Sequence, residues 1–286
     1  MKEGQPGEFH LSQRADLGKG RVAFDTFGAG PPVVLVHGTP TRSYLWRRVA
    51  PVLREHFTVY VYDLLGYGES VPHVAGDVSL PTQSAALAEL LDHWGIVGAG
   101  AAGHDIGAAV VLGAHLLQSK PFARVGLLDG VVLRPWITPT TRHMQAHLET
   151  YRSMPGHMYR EIVRTHLRSA TESAMDPRAF EVFMEQWTSA EGQAAYLQKV
   201  ALFDEGHTEE IEARLAELRV PVLILWGEKD RWLSPELAAR LGEEIPGSRV
   251  TTVRNAGHFV MEDAPHEVAR ALDDFFLGGE PDGGRC

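Results

Sequence analysis

The chain has 286 residues, which is enough for one or two domains with a large buried core. Its 37 acidic and 27 basic side chains give a formal net charge of −10, which argues against nucleic acid or an anionic membrane as a partner, because both are bound mainly through Lys and Arg. The single cysteine, Cys286, excludes an intrachain disulfide.

Nothing in the sequence predicts export or membrane insertion. The chain opens with MKEGQPGEFHLSQ, which lacks the apolar stretch of a secretory signal. No window approaches the roughly 20 apolar residues of a membrane span. We therefore expect a cytoplasmic protein. The glycine-rich tail from about residue 278 is expected to be disordered.

Short apolar runs, typical of buried parallel strands, alternate with helical stretches along much of the chain. The predicted strands are Val33–Val36, Val59–Tyr62, the small-residue run 97–103, Arg124–Leu128, Val222–Trp226 and Arg249–Val253. The predicted helices beside them are Thr82–Trp94, Ala108–Gln118, Pro235–Glu244 and Pro265–Phe276. This alternation predicts an α/β fold whose mostly parallel central sheet is flanked by helices, with ligands at the carboxyl ends of its strands.

Residues 134–218 interrupt this alternation. They contain no convincing strand, are rich in Met, Tyr, Arg and His, and show helical spacing at Ala179–Trp187 and Glu209–Leu218. We therefore expect one core formed by residues 1–133 and 219–286, with a helical cap at 134–218 lying over the active edge of the sheet.

The run Gly103-His104-Asp105-Ile106-Gly107 has the pattern of a nucleophile elbow, with aspartate where esterases carry serine. Small flanking residues suit a sharp strand-to-helix turn, because the strained apex crowds its neighbours. A carboxylate attacks an ester carbonyl poorly, but it displaces a leaving group from an sp3 carbon and forms an alkyl ester. Asp105 is therefore a candidate nucleophile.

Five motifs in combination resemble the aspartate-nucleophile branch of the α/β-hydrolases, the group of epoxide hydrolases and haloalkane dehalogenases. They are His37-Gly-Thr39-Pro, Asp63-Leu-Leu-Gly-Tyr-Gly-Glu-Ser70, the elbow at 103–107, Trp226-Gly-Glu-Lys-Asp230 and Ala256-Gly-His258-Phe. They follow the order nucleophile, acid, histidine, with a cap-sized insertion between them. The resemblance implies an α/β-hydrolase fold with a helical cap.

The resemblance also implies a catalytic triad. His258 follows the last strand and supplies a base with a pKa near neutrality for activating water. Asp230 is the first choice for the acid that orients it, because the family commonly places the acid after this strand. Asp129, at the end of the preceding strand, is the alternative, as in fluoroacetate dehalogenases. The backbone N–H groups of Thr39 and Ile106 are expected to form the oxyanion hole.

The leaving group separates the branches of this family. Haloalkane dehalogenases usually hold halide with a tryptophan directly after the nucleophile, but here that residue is Ile106. Epoxide hydrolases protonate the ring oxygen with two cap tyrosines, and Tyr151 and Tyr196 lie at similar separations along the chain. Four further side chains are expected to line the substrate pocket: His37, His104, Trp136 and Trp187.

The sequence therefore favours an epoxide hydrolase acting on a small organic epoxide through a covalent ester. The alternatives are a dehalogenase of a halogenated compound and a non-catalytic protein of this fold that binds a small ligand. No cluster of residues with metal-ligand spacing is evident, and neither metal nor cofactor is expected. The expected partner is a small-molecule substrate, and the oligomeric state stays open.

Overall fold

The computed structural model describes residues 9–72 and 77–278, and the terminal stretch 279–286, with Cys286, lies outside the described residues. The strands form one nine-stranded sheet of order β1-β2-β4-β3-β6-β7-β8-β9, with β5 paired to β2. They are β1 Gln13–Asp16, β2 Gly20–Phe27, β3 Pro32–Val36, β4 Thr58–Tyr62, β5 Val71–Pro72, β6 Gly100–His104, β7 Arg124–Leu128, β8 Val222–Gly227 and β9 Arg249–Val253. The predicted mostly parallel sheet is confirmed, since β3, β4 and β6 to β9 pair in parallel.

Twelve α-helices, counted over the described ranges, complete the fold. They are α1 Ala50–Leu53, α2 Leu80–Trp94, α3 Ile106–Leu116, α4 Pro139–Ala146, α5 Leu148–Arg152, α6 Gly156–Arg168, α7 Pro177–Glu185, α8 Ala190–Leu202, α9 Glu209–Ala213, α10 Glu236–Glu244, α11 Val260–Asp263 and α12 Pro265–Leu277. Three short 3₁₀ segments lie at Ser43–Arg48, Glu205–Thr208 and Leu215–Glu217. None of the helices in ranges 9–72 and 77–278 combines the length and apolarity needed to cross a bilayer.

The strand β6 is built from small residues that intrinsically disfavour a strand. Packing explains why it is extended. A Cβ on Gly103 would lie 2.3 Å from the carbonyl oxygen of Gly107 in α3, and one on Gly100 would lie 2.7 Å from the ring of Phe276 in α12. The missing side chains therefore let one helix approach each end of the strand, which positions the turn after His104.

The sequence analysis missed β1, β2 and β5, which pair antiparallel at one end of the sheet. β1 reads Gln-Arg-Ala-Asp and buries only Ala15, and β5 has two residues. Neither offers the apolar run that marks a strand buried on both faces. These elements lie away from the strand ends that carry the candidate catalytic residues.

Helices α4 to α9 lie between β7 and β8, and we call this segment the helical insertion. It contacts the core beside the candidate oxyanion loop. The indole Nε1 of Trp187 and the amide Nε2 of Gln186 both donate to the carbonyl oxygen of Pro40, at 2.6 and 2.9 Å. The amide oxygen of Gln186 accepts from the backbone N–H of Gly68. The insertion is therefore tied to the two loops that follow β3 and β4.

Candidate active site

Asp105 occupies a sharp turn between β6 and α3. Its φ of 52° lies in a region that an L-residue rarely adopts, which costs on the order of 1–3 kcal/mol. Its carbonyl oxygen accepts from the backbone N–H groups of Ala108 and Val131, which hold the turn. A Cβ on Gly107 would meet the carbonyl oxygen of Val36 at 2.5 Å, so only glycine fits there. The elbow pattern read from the sequence thus has a geometric basis.

The loop after β3 lies against the Asp105 carboxylate. The backbone N–H of Thr39 donates to Asp105 Oδ1 at 2.7 Å, and the Thr39–Pro40 peptide bond is cis. Gly38 permits this approach, because a Cβ there would lie 2.4 Å from the Cβ of Asp105. Ile106 is the first residue of α3, where the helix dipole favours negative charge. Both proposed oxyanion donors are therefore placed beside Asp105.

His258 is fully buried and lies between two carboxylates. Its Nδ1 is 2.8 Å from Asp230 Oδ2, and its Nε2 is 3.5 Å from Asp105 Oδ2. The other oxygen of Asp230 accepts from the backbone N–H groups of Trp232 and Leu233. Burial opposes charge on the imidazole, but Asp230 and then Asp105 outweigh it and hold the pKa of His258 well above its usual value.

Asp129 follows β7 and makes no hydrogen bond to His258. Its Oδ1 accepts from the backbone N–H of Gly227 at 2.7 Å, and its Oδ2 is buried with no hydrogen-bond partner among the described residues. Burial, and then the charge of Asp230, raise the pKa of Asp129 well above its usual value. Of the two acids left open by the sequence, the geometry pairs Asp230 with the imidazole.

One group of possible metal ligands occurs in the described part of the chain: Asp129, Asp230 and His258, whose ligand atoms lie within 4.8 Å of one another. The imidazole does not point a free nitrogen into this group. Nδ1 lies at direct hydrogen-bond distance from Asp230, and Nε2 faces Asp105. The donor set therefore fits an orienting acid and base better than a cation.

A small, partly open space is lined by Asp105, and we call it the chamber. Its volume is about 40 Å³. The core and the helical insertion both line it, with Thr39, Asp105, Ile106, Val131, Trp136, Ile137, Thr138, Thr141, His166, Tyr196, Phe203, Trp232 and Leu233. A larger outer space of about 460 Å³, the vestibule, shares Trp136, Ile137, Thr138, Trp232 and Leu233 with it. These shared residues lie between the two spaces, and we call them the neck.

Three tryptophans around the site use their indole N–H groups within the protein. Trp136 Nε1 donates to Thr208 Oγ1 at 3.0 Å, and Trp232 Nε1 donates to Ser169 Oγ at 2.9 Å. Trp187 Nε1 donates to the carbonyl oxygen of Pro40. The indole N–H groups of Trp136 and Trp232, which line the chamber, are therefore already engaged within the protein.

Four residues expected at the pocket or in catalysis do not line the chamber. His37 is buried below it, where its Nε2 accepts from the backbone N–H of Leu64. His104 packs under His258, with its Nε2 2.9 Å from that residue's carbonyl oxygen. Trp187 is occupied at the oxyanion loop. Tyr151 is half-buried on α5, where its ring contacts His143. Sequence separation alone does not determine which helix face meets the site.

Tyr196 and His166 line the chamber from the helical insertion, and the side chain of each can donate a hydrogen bond. Burial, and then the charge of Asp105, raise the pKa of Tyr196. The His166 ring lies parallel to Trp232 at 4.1 Å, and burial, followed by the positive His258, lowers its pKa to about 4. Both groups are neutral near pH 7 and can donate without carrying charge.

The sequence analysis did not select His166. A signal was available, because His166 lies three residues after Val163 and next to Leu167, both buried on one face of α6. A polar ring beside such an apolar stripe has to face either the core or a cavity. Without the fold, the same pattern equally fits a histidine packed in the core.

Comparisons with known proteins place this arrangement in a family. A family model described as "Alpha/beta hydrolase family" matches residues 33–271. The crystal structure of an alpha/beta hydrolase fold protein from Burkholderia ambifaria is 36% identical, covers 92% of this chain and 97% of its own, and superposes with a TM-score of 0.88.

Two curated relatives represent the two reactions suggested by the sequence. Haloalkane dehalogenase 2 of Mycobacterium tuberculosis is 26% identical over 272 residues, which is 91% of this chain and 93% of that protein. The soluble epoxide hydrolase of Corynebacterium sp. is 41% identical over 90 residues, which is 32% of this chain and 31% of that protein. Since the family model spans most of the chain and the core architecture agrees, the chain belongs to the alpha/beta hydrolase family.

Proposed function

We propose that the protein hydrolyses an epoxide through a covalent ester on Asp105. The observation that carries this proposal is the composition of the chamber, where Tyr196 and His166 offer neutral donors while the indole N–H groups are engaged elsewhere. An epoxide needs a proton donor at the ring oxygen as the ring opens. A departing halide instead needs N–H groups that are free to surround an anion.

In the first step, an Asp105 oxygen attacks one ring carbon, and the bond from that carbon to the ring oxygen breaks. Tyr196 gives its proton to the oxygen as it becomes an alkoxide, and His166 donates a hydrogen bond to it. A neutral imidazole can act as such an electrophile when its environment lowers its pKa. The products of this step are a hydroxyalkyl ester and a phenolate, which regains its proton from His258 through the chamber water or substrate hydroxyl.

In the second step, water hydrolyses the ester. Once alkylated, Asp105 is neutral, so one of the two carboxylates that raise the pKa of His258 no longer contributes. The neutral imidazole then removes a proton from water, and hydroxide attacks the ester carbonyl. The Thr39 and Ile106 N–H groups stabilise the resulting oxyanion. Collapse expels the alkoxide, which takes a proton from His258 to give the diol. The carboxylic acid left on Asp105 then passes its proton to His258, which restores the starting state.

Halide displacement is the second candidate, because the relative from Mycobacterium tuberculosis that matches most of this chain is a haloalkane dehalogenase. The same Asp105, His258 and Asp230 would serve it. The engaged indoles of Trp136 and Trp232 argue against it. A role as a non-catalytic ligand binder is the third candidate, which the paired nucleophile and base argue against.

The sizes of the chamber and the vestibule favour a substrate with a small reactive end. A chamber of about 40 Å³ accommodates the three-membered ring and little else, so substituents have to extend through the neck into the vestibule of about 460 Å³. We therefore infer that terminal epoxides with a single apolar tail are preferred over epoxides substituted on both carbons. Trp136, Ile137 and Leu233 at the neck would contact the start of that tail.

The test combines product analysis with trapping of the intermediate. The wild-type protein is incubated with a terminal epoxide bearing a linear alkyl tail, with its internal isomer and with the matching terminal bromide. We expect diol from the terminal epoxide, and we expect His258→Gln to accumulate an adduct that peptide mass spectrometry places on Asp105. Asp105→Asn is the control and should form none.

Two outcomes would contradict the proposal. Bromide release without diol from either epoxide would favour the dehalogenase. Absence of an adduct on His258→Gln with every electrophile, together with unmodified binding, would favour the ligand-binding protein.

A further inference from the structure

We propose that Asp129 is a neutral carboxylic acid that donates its proton to Asp230, and that it is a positioning residue which sets how strongly Asp230 holds His258. The inference rests on the proposed Asp105–His258–Asp230 arrangement. It does not depend on whether the substrate is an epoxide or a halide.

The hydrogen bonds around Asp129 leave one place for a proton. Asp129 is fully buried, and its Oδ1 accepts from the Gly227 N–H at 2.7 Å. Its Oδ2 is shielded from water and lacks a partner in the part of the chain that the structure describes. A carboxylate oxygen of Asp129, a carboxylate oxygen of Asp230 and a ring nitrogen of His258 lie within 4.8 Å of one another. An unpaired buried carboxylate oxygen is costly, whereas a hydroxyl at that position can donate to Asp230.

The charges of the neighbouring groups determine which of the two aspartates keeps the proton. Two carboxylates this close and away from water do not both ionise, because like charges in a poorly screened site repel strongly. Asp230 is the better anion, since it receives the Trp232 and Leu233 N–H groups and faces the imidazole. Asp129 receives one N–H. Burial, and then the charge of Asp230, raise the pKa of Asp129, and together they outweigh the charge of His258 and the Gly227 N–H, which lower it.

This donated proton has a consequence for the base. A hydrogen bond from Asp129 spreads the negative charge of Asp230, so Asp230 raises the pKa of His258 less than an unassisted carboxylate would. The imidazole can then lose its proton after Asp105 is alkylated. Asparagine at position 129 preserves the effect, because its NH₂ group donates in the same direction. Leucine, of similar size, removes it.

Infrared difference spectroscopy of the intact free protein tests the protonation state directly. The wild-type minus Asp129→Asn spectrum, recorded at neutral pH, should contain the C=O band of a protonated carboxylic acid. Asp263→Asn, at an exposed carboxylate that accepts from the Glu172 and Ser173 N–H groups, is the control and should contain only carboxylate bands. A wild-type spectrum without the acid band at position 129 would overturn the proposal, whatever the substrate.

The pH profile of ester hydrolysis tests the positioning role, using the alkylated enzyme in single turnovers. Asp129→Asn should keep the wild-type profile. Asp129→Leu should move the midpoint of the acid limb up by about one pH unit, which is about a tenfold slower hydrolysis below it. A large loss in Asp129→Asn would mean that an ionised Asp129 is needed, and an unshifted Asp129→Leu would mean that the contact has no effect on the base.

The two tests also separate this inference from the proposed function. If no electrophile alkylates Asp105, the proposed function is wrong. The infrared spectrum still decides whether Asp129 is protonated. If Asp129→Leu does not fold, the infrared band and the Asp129→Asn profile still decide the question.

Discussion

Single side chains at this site balance burial against charge. His258 has no exposed surface, yet two carboxylates hold its pKa well above its usual value. At His104, His37 and His166 burial outweighs the nearby carboxylates and lowers the pKa to about 3, 4 and 4. The same residue type is therefore charged at one position and neutral at the others. Its neighbours, not its exposure, decide whether it can act as a base.

The orienting acid gives the first prediction. Asp230→Asn should slow ester hydrolysis by on the order of 10⁴, because the amide no longer fixes and stabilises the imidazolium. Formation of the ester on Asp105 should continue, so the adduct should accumulate as in His258→Gln. Rapid mixing followed by mass spectrometry measures both half-reactions. Asp129→Asn is the matched control, and a stall there with normal turnover in Asp230→Asn would reverse the assignment.

The proton donor gives the second prediction. Tyr196→Phe should reduce the rate of ester formation from an epoxide by about 10²–10⁴, the range of general acid catalysis. Alkylation by a bromide should be little affected, because bromide leaves without a proton. Tyr151→Phe is the matched control, since Tyr151 lies outside the chamber. Equal losses in the two variants would show that the phenol acts through packing.

Sequence reasoning located the groups whose positions follow from local motifs. Asp105 and His258 each stand at a strand end behind small residues, and that context fixes them in space. No local motif indicated where the proton donors on the helical insertion would lie. Tyr196 reached the chamber and Tyr151 did not, while His166 arrived from a helix that the motifs do not cover. Tertiary packing of α5, α6 and α8 makes that choice.

At the scale of one element, α8 carries three buried polar residues at three-residue spacing, Gln193, Tyr196 and Lys199. Tyr196 faces the chamber, and Lys199 lies behind it, 4% exposed, with its Nζ 4.9 Å from the ring centre of Tyr67 and 5.1 Å from that of Trp187. Burial lowers the pKa of Lys199 to about 8. The ammonium is thus held by aromatic faces where a carboxylate would be usual.

Lys199 gives the third prediction. Lys199→Met should raise the free energy of unfolding at pH 7 by on the order of 1–3 kcal/mol, because the folded protein no longer has to bury a charge. The folded pKa of about 8 lies below the usual 10.5, so the penalty is full below pH 8 and disappears as pH rises to 10.5. Urea unfolding at several pH values measures this. Lys229→Met, at a surface pair with Glu172, should show no such trend.

The elbow glycines give the fourth prediction. Gly103→Ala should destabilise the fold by about 1–3 kcal/mol, because its Cβ would overlap the backbone of Gly107 and neither backbone segment can move freely. Gly156→Ala, which meets no atom within 4 Å, is the matched control and should be neutral or slightly stabilising. Urea unfolding compares them. Similar losses in both would show that crowding at the elbow does not govern the first.

At the same scale, strands that are buried on both faces of the sheet were the easiest elements to predict from the sequence. The parallel strands at the centre of the sheet were predicted nearly to their ends, because apolar runs identify them. Antiparallel β1 and β2 mix buried, half-buried and exposed positions, and charged residues interrupt their apolar positions. Predicted core helices differ from the observed ones by at most two residues at each end, where capping and 3₁₀ turns decide.

For the whole molecule, the buried histidines and Asp129 predict a dome-shaped dependence of stability on pH. His37, His104 and His166 have lowered pKa values, so their contribution is lost as pH falls below about 6.5. His258 has a raised pKa, so its contribution is present below 6.5 and lost as pH rises through its folded value. The raised pKa of Asp129 acts in the same direction.

Thermal unfolding between pH 5 and pH 9 tests this fifth prediction. We expect a maximum near neutrality. His258→Gln should flatten the alkaline side and change the acid side less, because burial is the main cause of the lowered pKa values of His104 and His166. A wild-type curve that rises steadily to pH 9 would mean that the imidazole is not held in its charged form by Asp105 and Asp230.

The shared hydrogen bonds at the Pro40 carbonyl limit how freely this protein can be recombined. Trp187 and Gln186 both donate to that oxygen, and the neighbouring Thr39 N–H donates to the Asp105 carboxylate. The helical insertion, which lines the chamber, is therefore coupled to the loop that holds the nucleophile. A chimera that exchanged the helical insertion for that of another family member would also loosen the nucleophile, unless the graft brought its own donors to Pro40.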